Sequence, residues 1–223
     1  MKSFKLFDVF ADNRKPDSLA SRMRINRFDF FLSLLSCLDP PITILDVGGT
    51  EEFWKIMGLG FEKDVKVTLL NLWEQPVSLS NTESIRGDAR NMQFTDCSFD
   101  VVFSNSVIEH VGGFESQQQM AGEIRRVGKR YFVQTPNRYF FIEPHFLFPF
   151  FQFLPVKWKM WLIMHFRLGW IDKAADPESA RAVVESVQLL SKKEVLALFP
   201  DCNLFEEKIF GITKSFIAYA GWD

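Results

Sequence analysis

Ile42-Thr43-Ile44-Leu45-Asp46-Val47-Gly48-Gly49-Thr50 is the stretch whose reading decides the fold. Ile42 to Val47 is short, β-branched and largely apolar, the pattern of a strand buried on both faces of a parallel sheet. Two glycines follow at once, and Glu51 to Leu59 then reads as a helix. A buried strand that delivers Asp46 and two glycines into a helix is a nucleotide-binding geometry. Glycine lets the backbone approach a ligand closely, and the start of a helix offers unpaired N–H groups. Taken alone, the same residues also make a plain strand-to-helix turn.

Working outward, residues 16 to 37 read as a helix. Pro16 suits its first turn, and Leu19, Met23, Phe30, Phe31, Leu34 and Leu35 recur at helical spacing. Arg22, Arg24 and Arg27 take the remaining faces, and Asp39-Pro40-Pro41 ends the element. Val65 to Leu70 is a second buried strand, and Ser84 to Arg86 a brief third leading into Gly87-Asp88-Ala89. Phe99 to Ser104 is a fourth and Arg130 to Gln134 a fifth, separated by a polar helix from Phe114 to Val127. Strands alternating with helices in this way predict βαβ units and a doubly wound parallel sheet.

The last third changes pattern. Ser191 with Glu194 is a capping box for a helix over Lys192 to Phe199, closed by Pro200. Leu204 to Phe210 and Ser215 to Ala220 are then separated by too few residues for a parallel crossover, so they should form an antiparallel hairpin. There is no internal repeat and no linker, so residues 1–223 are expected to form a single domain.

Composition narrows the function. The net charge is −2, which argues against a nucleic-acid binder held by phosphate contacts. Cys37, Cys97 and Cys202 are scattered and form no CxxC pair, so neither a zinc site nor a disulfide framework is indicated. No residue set suggests a metal. Met1 to Phe10 is broken by Lys2, Lys5 and Asp8 and lacks a signal-peptide core, so a cytoplasmic location is expected.

In an open α/β sheet, ligands bind outside the carboxyl ends of the strands near the switch point. Asp46-Val47-Gly48-Gly49, Gly87-Asp88-Ala89 and the residues after Phe103 all end there. Ile44 to Thr50, Gly87-Asp88-Ala89 and Phe99-Asp100-Val101-Val102-Phe103-Ser104-Asn105-Ser106-Val107-Ile108-Glu109-His110-Val111 together resemble the motifs of class I S-adenosylmethionine-dependent methyltransferases. The likeness is to the small-molecule, type 11-like branch, with a helix over Leu189 to Pro200 before the last hairpin, and it spans about Ile42 to Tyr219. It implies a Rossmann-like, seven-stranded, mostly parallel sheet with a C-terminal antiparallel hairpin and helices on both faces.

The resemblance also implies roles. Gly48 and Gly49 would pass close to the methionine part of S-adenosylmethionine, with Asp46 fixing its amino group. Asp88 would take the adenine amino group and Ala89 would pack on the ring. Ser104, Asn105 and Ser106 would line the methionine side near the methyl donor. Two positions depart from the pattern. Glu52 stands where a third glycine is usual, and Asn71, beside Leu72, stands where an acid usually grips the ribose. Asparagine lacks the charge-assisted strength of a carboxylate; Glu74, three residues on, is the alternative. The missing G-x-G-x-x-G spacing disfavours a nicotinamide-dependent oxidoreductase.

Methyl transfer from a sulfonium is an in-line displacement helped chiefly by alignment, and a base matters when the acceptor is a hydroxyl or a protonated amine. The acid–base candidates are Glu109, His110, Glu143, His145 and His165. His110 and His145 are the catalytic candidates because each follows a strand end above the crevice; Glu109-His110 equally suits capping a helix or holding a loop. His165, between Met164 and Phe166, reads as a packed histidine.

The chain holds 25 phenylalanines and six tryptophans, many within an insertion after the fifth strand, residues 138–175. Three readings stand: a helical lid with its own aromatic core, a lid over an apolar substrate pocket, or contact with a membrane surface or partner subunit. Pro149 and Pro155 break any continuous span, whereas tryptophans beside Lys157 and Lys159 suit an interfacial helix. The expected acceptor is a small molecule, a glycan or a lipid-linked compound. The rival class is a non-catalytic cofactor binder whose insertion serves assembly.

Overall fold

The computed structural model describes residues 19–58 and 64–222. Pro16 and the first ten residues, on which two of the sequence expectations rest, lie outside the described residues, as does Leu59. The elements run α1 Leu19–Leu35, β1 Ile42–Val47, α2 Glu51–Ile56, β2 Val65–Asn71, β3 Thr82–Arg86, β4 Val101–Asn105, α3 Phe114–Val127 and β5 Tyr131–Pro136. A short hairpin, β6 Ile142–Glu143 and β7 Phe148–Pro149, precedes α4 Val156–His165 and α5 Pro177–Glu185. The chain closes with α6 Lys192–Leu198, β8 Asn203–Ile209 and β9 Ile212–Ala220.

The main sheet has seven strands in the order β3-β2-β1-β4-β5-β9-β8. β1 to β5 are parallel, and β9 runs antiparallel to both β5 and β8. The predicted architecture is therefore the observed one. Phe210 and Gly211 join β8 to β9, with φ of 50° and 80°, the left-handed pair of a tight hairpin turn whose twist matches its strands.

β1 is buried on both faces and divides the core. Ile44 packs with Phe28, Phe31 and Leu35 of α1, Trp54 of α2, and Phe103 and Phe132 from β4 and β5. Leu45 and Val47 face Met120 and Ile124 of α3 and Val195 and Leu198 of α6. The buried stripe of α1 is Phe28, Phe31 and Leu35, so its arginine face is rotated toward the top of the sheet. Arg27 there bonds Asn105 at the end of β4 and pairs with buried Glu207 on β8 at 2.7 Å. The order of strands reverses between β1 and β4, so their carboxyl ends leave a crevice.

The insertion differs in part from expectation. Phe146, Phe151 and Ile163 make a small core with Val184 of α5, as the lid reading requires. Phe150, Phe153, Trp158, Trp161, Phe166 and Trp170 remain exposed. The hairpin β6–β7 and helix α5 were not read from the sequence. Asp176 caps α5 through Ser179 N, with Pro177 in its first turn, a start signal that is visible in the sequence.

Candidate functional site

The crevice at the switch point holds a cavity of about 300 Å³. Asp46, Gly48, Gly49, Thr50, Glu52 and Asn105 line it, and Arg24 of α1, Phe53, Ile56 and Met57 of the α2 region and Phe103 of β4 complete the wall. Gly48 has φ +79°, a conformation that favours glycine, and Val107 lies where its side chain would be. A Cβ on Gly49 would stand 1.6 Å from Oδ2 of Asp46. Both glycines are therefore required by the turn itself.

Asp46 is almost fully buried. The indole N–H of Trp54 donates to its Oδ2 at 2.7 Å, while Oδ1 has no partner among the described residues. Burial raises its pKa to about 7, and the Trp54 hydrogen bond only partly opposes this. A buried acceptor oxygen left open beside a glycine cradle is a place for a cationic or N–H-bearing group. The amino group of S-adenosylmethionine fits that demand, so the residues present suit the cofactor. Thr50 caps α2 by accepting from Phe53 N, and Glu52, in place of a third glycine, adds a carboxylate to the rim.

The other positions implied by the resemblance make the following contacts within the chain. The side-chain amide of Asn71 donates to the carbonyl of Gly49 at 2.9 Å, so this residue braces the glycine turn. Leu72 is exposed. Asp88 is engaged by Arg90 through three guanidinium contacts of 2.6 to 3.1 Å, which hold its pKa below the usual range. Ala89 packs against the core below α3. Ser104 is fully buried and its hydroxyl donates to Val47 O across β1 and β4. Ser106, with φ +58°, donates from its hydroxyl to Gln134 of β5. The cavity wall thus contains Asp46, Gly48, Gly49 and Asn105, while Asn71, Leu72, Asp88, Ala89, Ser104 and Ser106 stand outside it. Arg24 as a cavity residue and Trp54 as the partner of the Asp46 carboxylate were not anticipated. Arg24 carries no local signal, because α1 meets the site only through the tertiary fold.

Beyond Asn105 the chain makes a 3-10 turn, Ile108–His110. It carries buried Glu109 and exposed His110 to the insertion, where the ring of His110 meets that of His145 edge-on at 4.7 Å. Glu143, buried at the end of β6, accepts from the backbone N–H groups of His145 and Phe146 and contacts Nδ1 of His145 at 2.7 Å. For His145, burial disfavours the charged form, but the Glu143 carboxylate outweighs it and the pKa is raised. Glu109 takes a hydrogen bond from Thr135 of β5 at 3.0 Å, and burial raises its pKa to about 7. His165 is exposed and stacks on Trp161 at 4.7 Å, so it is a surface residue of α4 rather than a packed one.

Residues 45–131, about two fifths of the chain, match the family model described as methyltransferase domain. No curated protein matches. Among solved structures, a protein of Pyrococcus horikoshii is similar at 17% identity and a TM-score of 0.54, over 97% of this chain and 98% of that one. A SAM-dependent methyltransferase of Methanosarcina mazei is similar at 15% identity and a TM-score of 0.50, over 84% and 95%. At these identities the structural likeness establishes the fold; the family model adds the domain type. Residues 45–131 thus match a methyltransferase-domain model, and the chain shares the Rossmann-like fold of these structures.

Proposed function

We propose that this chain is a class I S-adenosylmethionine-dependent methyltransferase that transfers the methyl group to an oxygen or nitrogen of a small or medium acceptor, sugar- or lipid-linked compounds included. The observation that carries the reading is the unpartnered Oδ1 of Asp46 beside Gly48 and Gly49. Asp46 and the two glycines hold the methionine end of the cofactor, and Asn105 with Arg27 borders it. The sulfonium supplies an activated methyl group; the protein's part is alignment and control of the acceptor's proton. His110 and His145 are the catalytic residues of this proposal. They follow β4 and β6 and stand together where the insertion meets the sheet. Asn71, whose amide also braces the glycine turn, holds the ribose, with Glu74 the alternative, and Asp88 with Ala89 takes the adenine. The test is release of S-adenosylhomocysteine with a panel of hydroxyl and amine acceptors. Calorimetric binding of the cofactor without turnover on any acceptor would favour the non-catalytic alternative; failure to bind would end both.

A second reading concerns the insertion. Trp158 and Trp161 of α4, with Phe150 and Phe153 before it, expose an aromatic face beside Lys157, and this favours peripheral contact with a membrane that holds a lipid-linked acceptor. No helix among the described residues is long and apolar enough to cross a membrane. Co-sedimentation with anionic liposomes that fades in salt is expected, and a protein that stays in the supernatant refutes this reading.

A further inference from the structure

We propose that Glu109, His110 and His145 bind one divalent first-row transition-metal ion. One ligand atom from each residue lies within 4.8 Å of the other two. Around a tetrahedral ion with bonds of about 2.1 Å, ligand atoms stand about 3.4 Å apart, so closure takes only small side-chain movements. The sequence hid this set because Glu109 and His110 are adjacent and His145 lies far along the chain. The 3-10 turn and the folded-back insertion bring them together.

Three features beyond proximity support the assignment. First, both imidazoles have Nδ1 placed on oxygen acceptors: His145 on Glu143 Oε1 at 2.7 Å, and His110 on the carbonyl of Ser186 at 3.3 Å. An imidazole that donates through Nδ1 presents the Nε2 lone pair, the form in which histidine binds metals. The pairing of Glu143 with His145 is the carboxylate–histidine arrangement that orients a metal ligand. Second, Glu109 Oε1 is fully buried and has no partner among the described residues, while Thr135 satisfies Oε2. A buried carboxylate oxygen without a partner is costly, and a cation removes that cost. Third, the ligands are fixed in advance. Glu143 also receives the N–H groups of His145 and Phe146, and Gln188 N donates to the carbonyl of Glu109.

Two imidazoles and one carboxylate select zinc, cobalt or iron over magnesium or calcium, which prefer oxygen ligands. Three protein ligands leave a coordination position open, as in catalytic rather than structural sites. That position would take an oxygen or nitrogen of the acceptor, and with the ion bound the two histidines would act as its ligands rather than as bases. This last role rests on the proposed function, but metal binding itself does not.

The test titrates the chelator-treated full chain with Co²⁺, reading visible d–d absorption and heat, in the absence of cofactor and acceptor. One equivalent is expected to bind, at least about tenfold more tightly than Mg²⁺. Glu143→Gln should weaken cobalt binding about 10- to 100-fold. His110→Ala, at the exposed rim, and His145→Ala should each abolish the d–d bands. His165→Ala should leave them unchanged. Circular dichroism of each variant checks folding, and His110→Ala keeps the test decisive if changes at the buried Glu109 unfold the chain. A wild-type protein without saturable cobalt binding overturns the proposal, as does a His110→Ala/His145→Ala double variant that binds as tightly as wild type. Absence of methyl transfer alongside intact cobalt binding would refute the acceptor chemistry alone.

Discussion

Replacing Asp46 by asparagine should stabilise the ligand-free protein and cripple its binding of the cofactor. The carboxyl is buried and its pKa is raised from 3.8 to about 7. At about 1.4 kcal/mol for each tenfold change in ionisation, the charged form is about 4 kcal/mol costlier in the fold than in water. The sign follows from proton binding. Between 3.8 and about 7 the native state holds a proton that the unfolded chain has released. Stability therefore falls as pH rises through that window, and the loss is complete above it. An asparagine side chain carries no such penalty, and its amide oxygen still accepts from Trp54. In urea denaturation, Asp46→Asn should match wild type near pH 4 and exceed it above pH 7, by at most about 4 kcal/mol. Calorimetry should show the opposite for ligand. S-adenosylhomocysteine binding by wild type should strengthen as pH rises through about 7, as the carboxylate forms to meet the amino group. The variant should bind about 10- to 100-fold more weakly, the worth of a hydrogen bond to a charged group. Parallel stability curves across this range, or unchanged affinity, would refute the reasoning.

Three further outcomes follow from the same geometry. Gly49→Ala places a methyl against the Asp46 carboxylate. It should cost about 1–3 kcal/mol in thermal unfolding and abolish calorimetric cofactor binding; retained binding would show that the turn can yield. Asn71→Asp should destabilise the protein, because it sets a carboxylate against the Gly49 carbonyl that Asn71 now serves. The expected loss is about 1–3 kcal/mol, and a raised melting temperature would contradict it. Arg27→Ala leaves Glu207 buried without its cation, so urea unfolding should report a loss of about 3–5 kcal/mol. A change near zero would place that pair among the weak surface bridges.

Outside the insertion, the alternation of strands and helices, the parallel sheet and the closing hairpin were legible in the residues from Ile42 to Ala220. Their signals are local: buried β-branched runs at Ile42–Val47 and Val65–Leu70, a capping box at Ser191 and Glu194 confirmed by both hydrogen bonds, and a connection too short to cross the sheet. Asp46, Gly48, Gly49 and Asn105 could be picked out together because a strand end and its turn are continuous in sequence, and all four line the cavity. The fold alone decided the rest. Asn71 became a brace for the turn and Asp88 an ion-pair partner, because side-chain hydrogen bonds go to whatever group packing brings near. Arg24 reached the cavity wall and Arg27 reached Asn105 because Phe28, Phe31 and Leu35 set the rotation of α1. Glu109, His110, Glu143 and His145 met because the insertion folds back over the end of the sheet. Periodicity along one chain records which face of an element is buried. It carries no record of which distant side chains will share that face's edge.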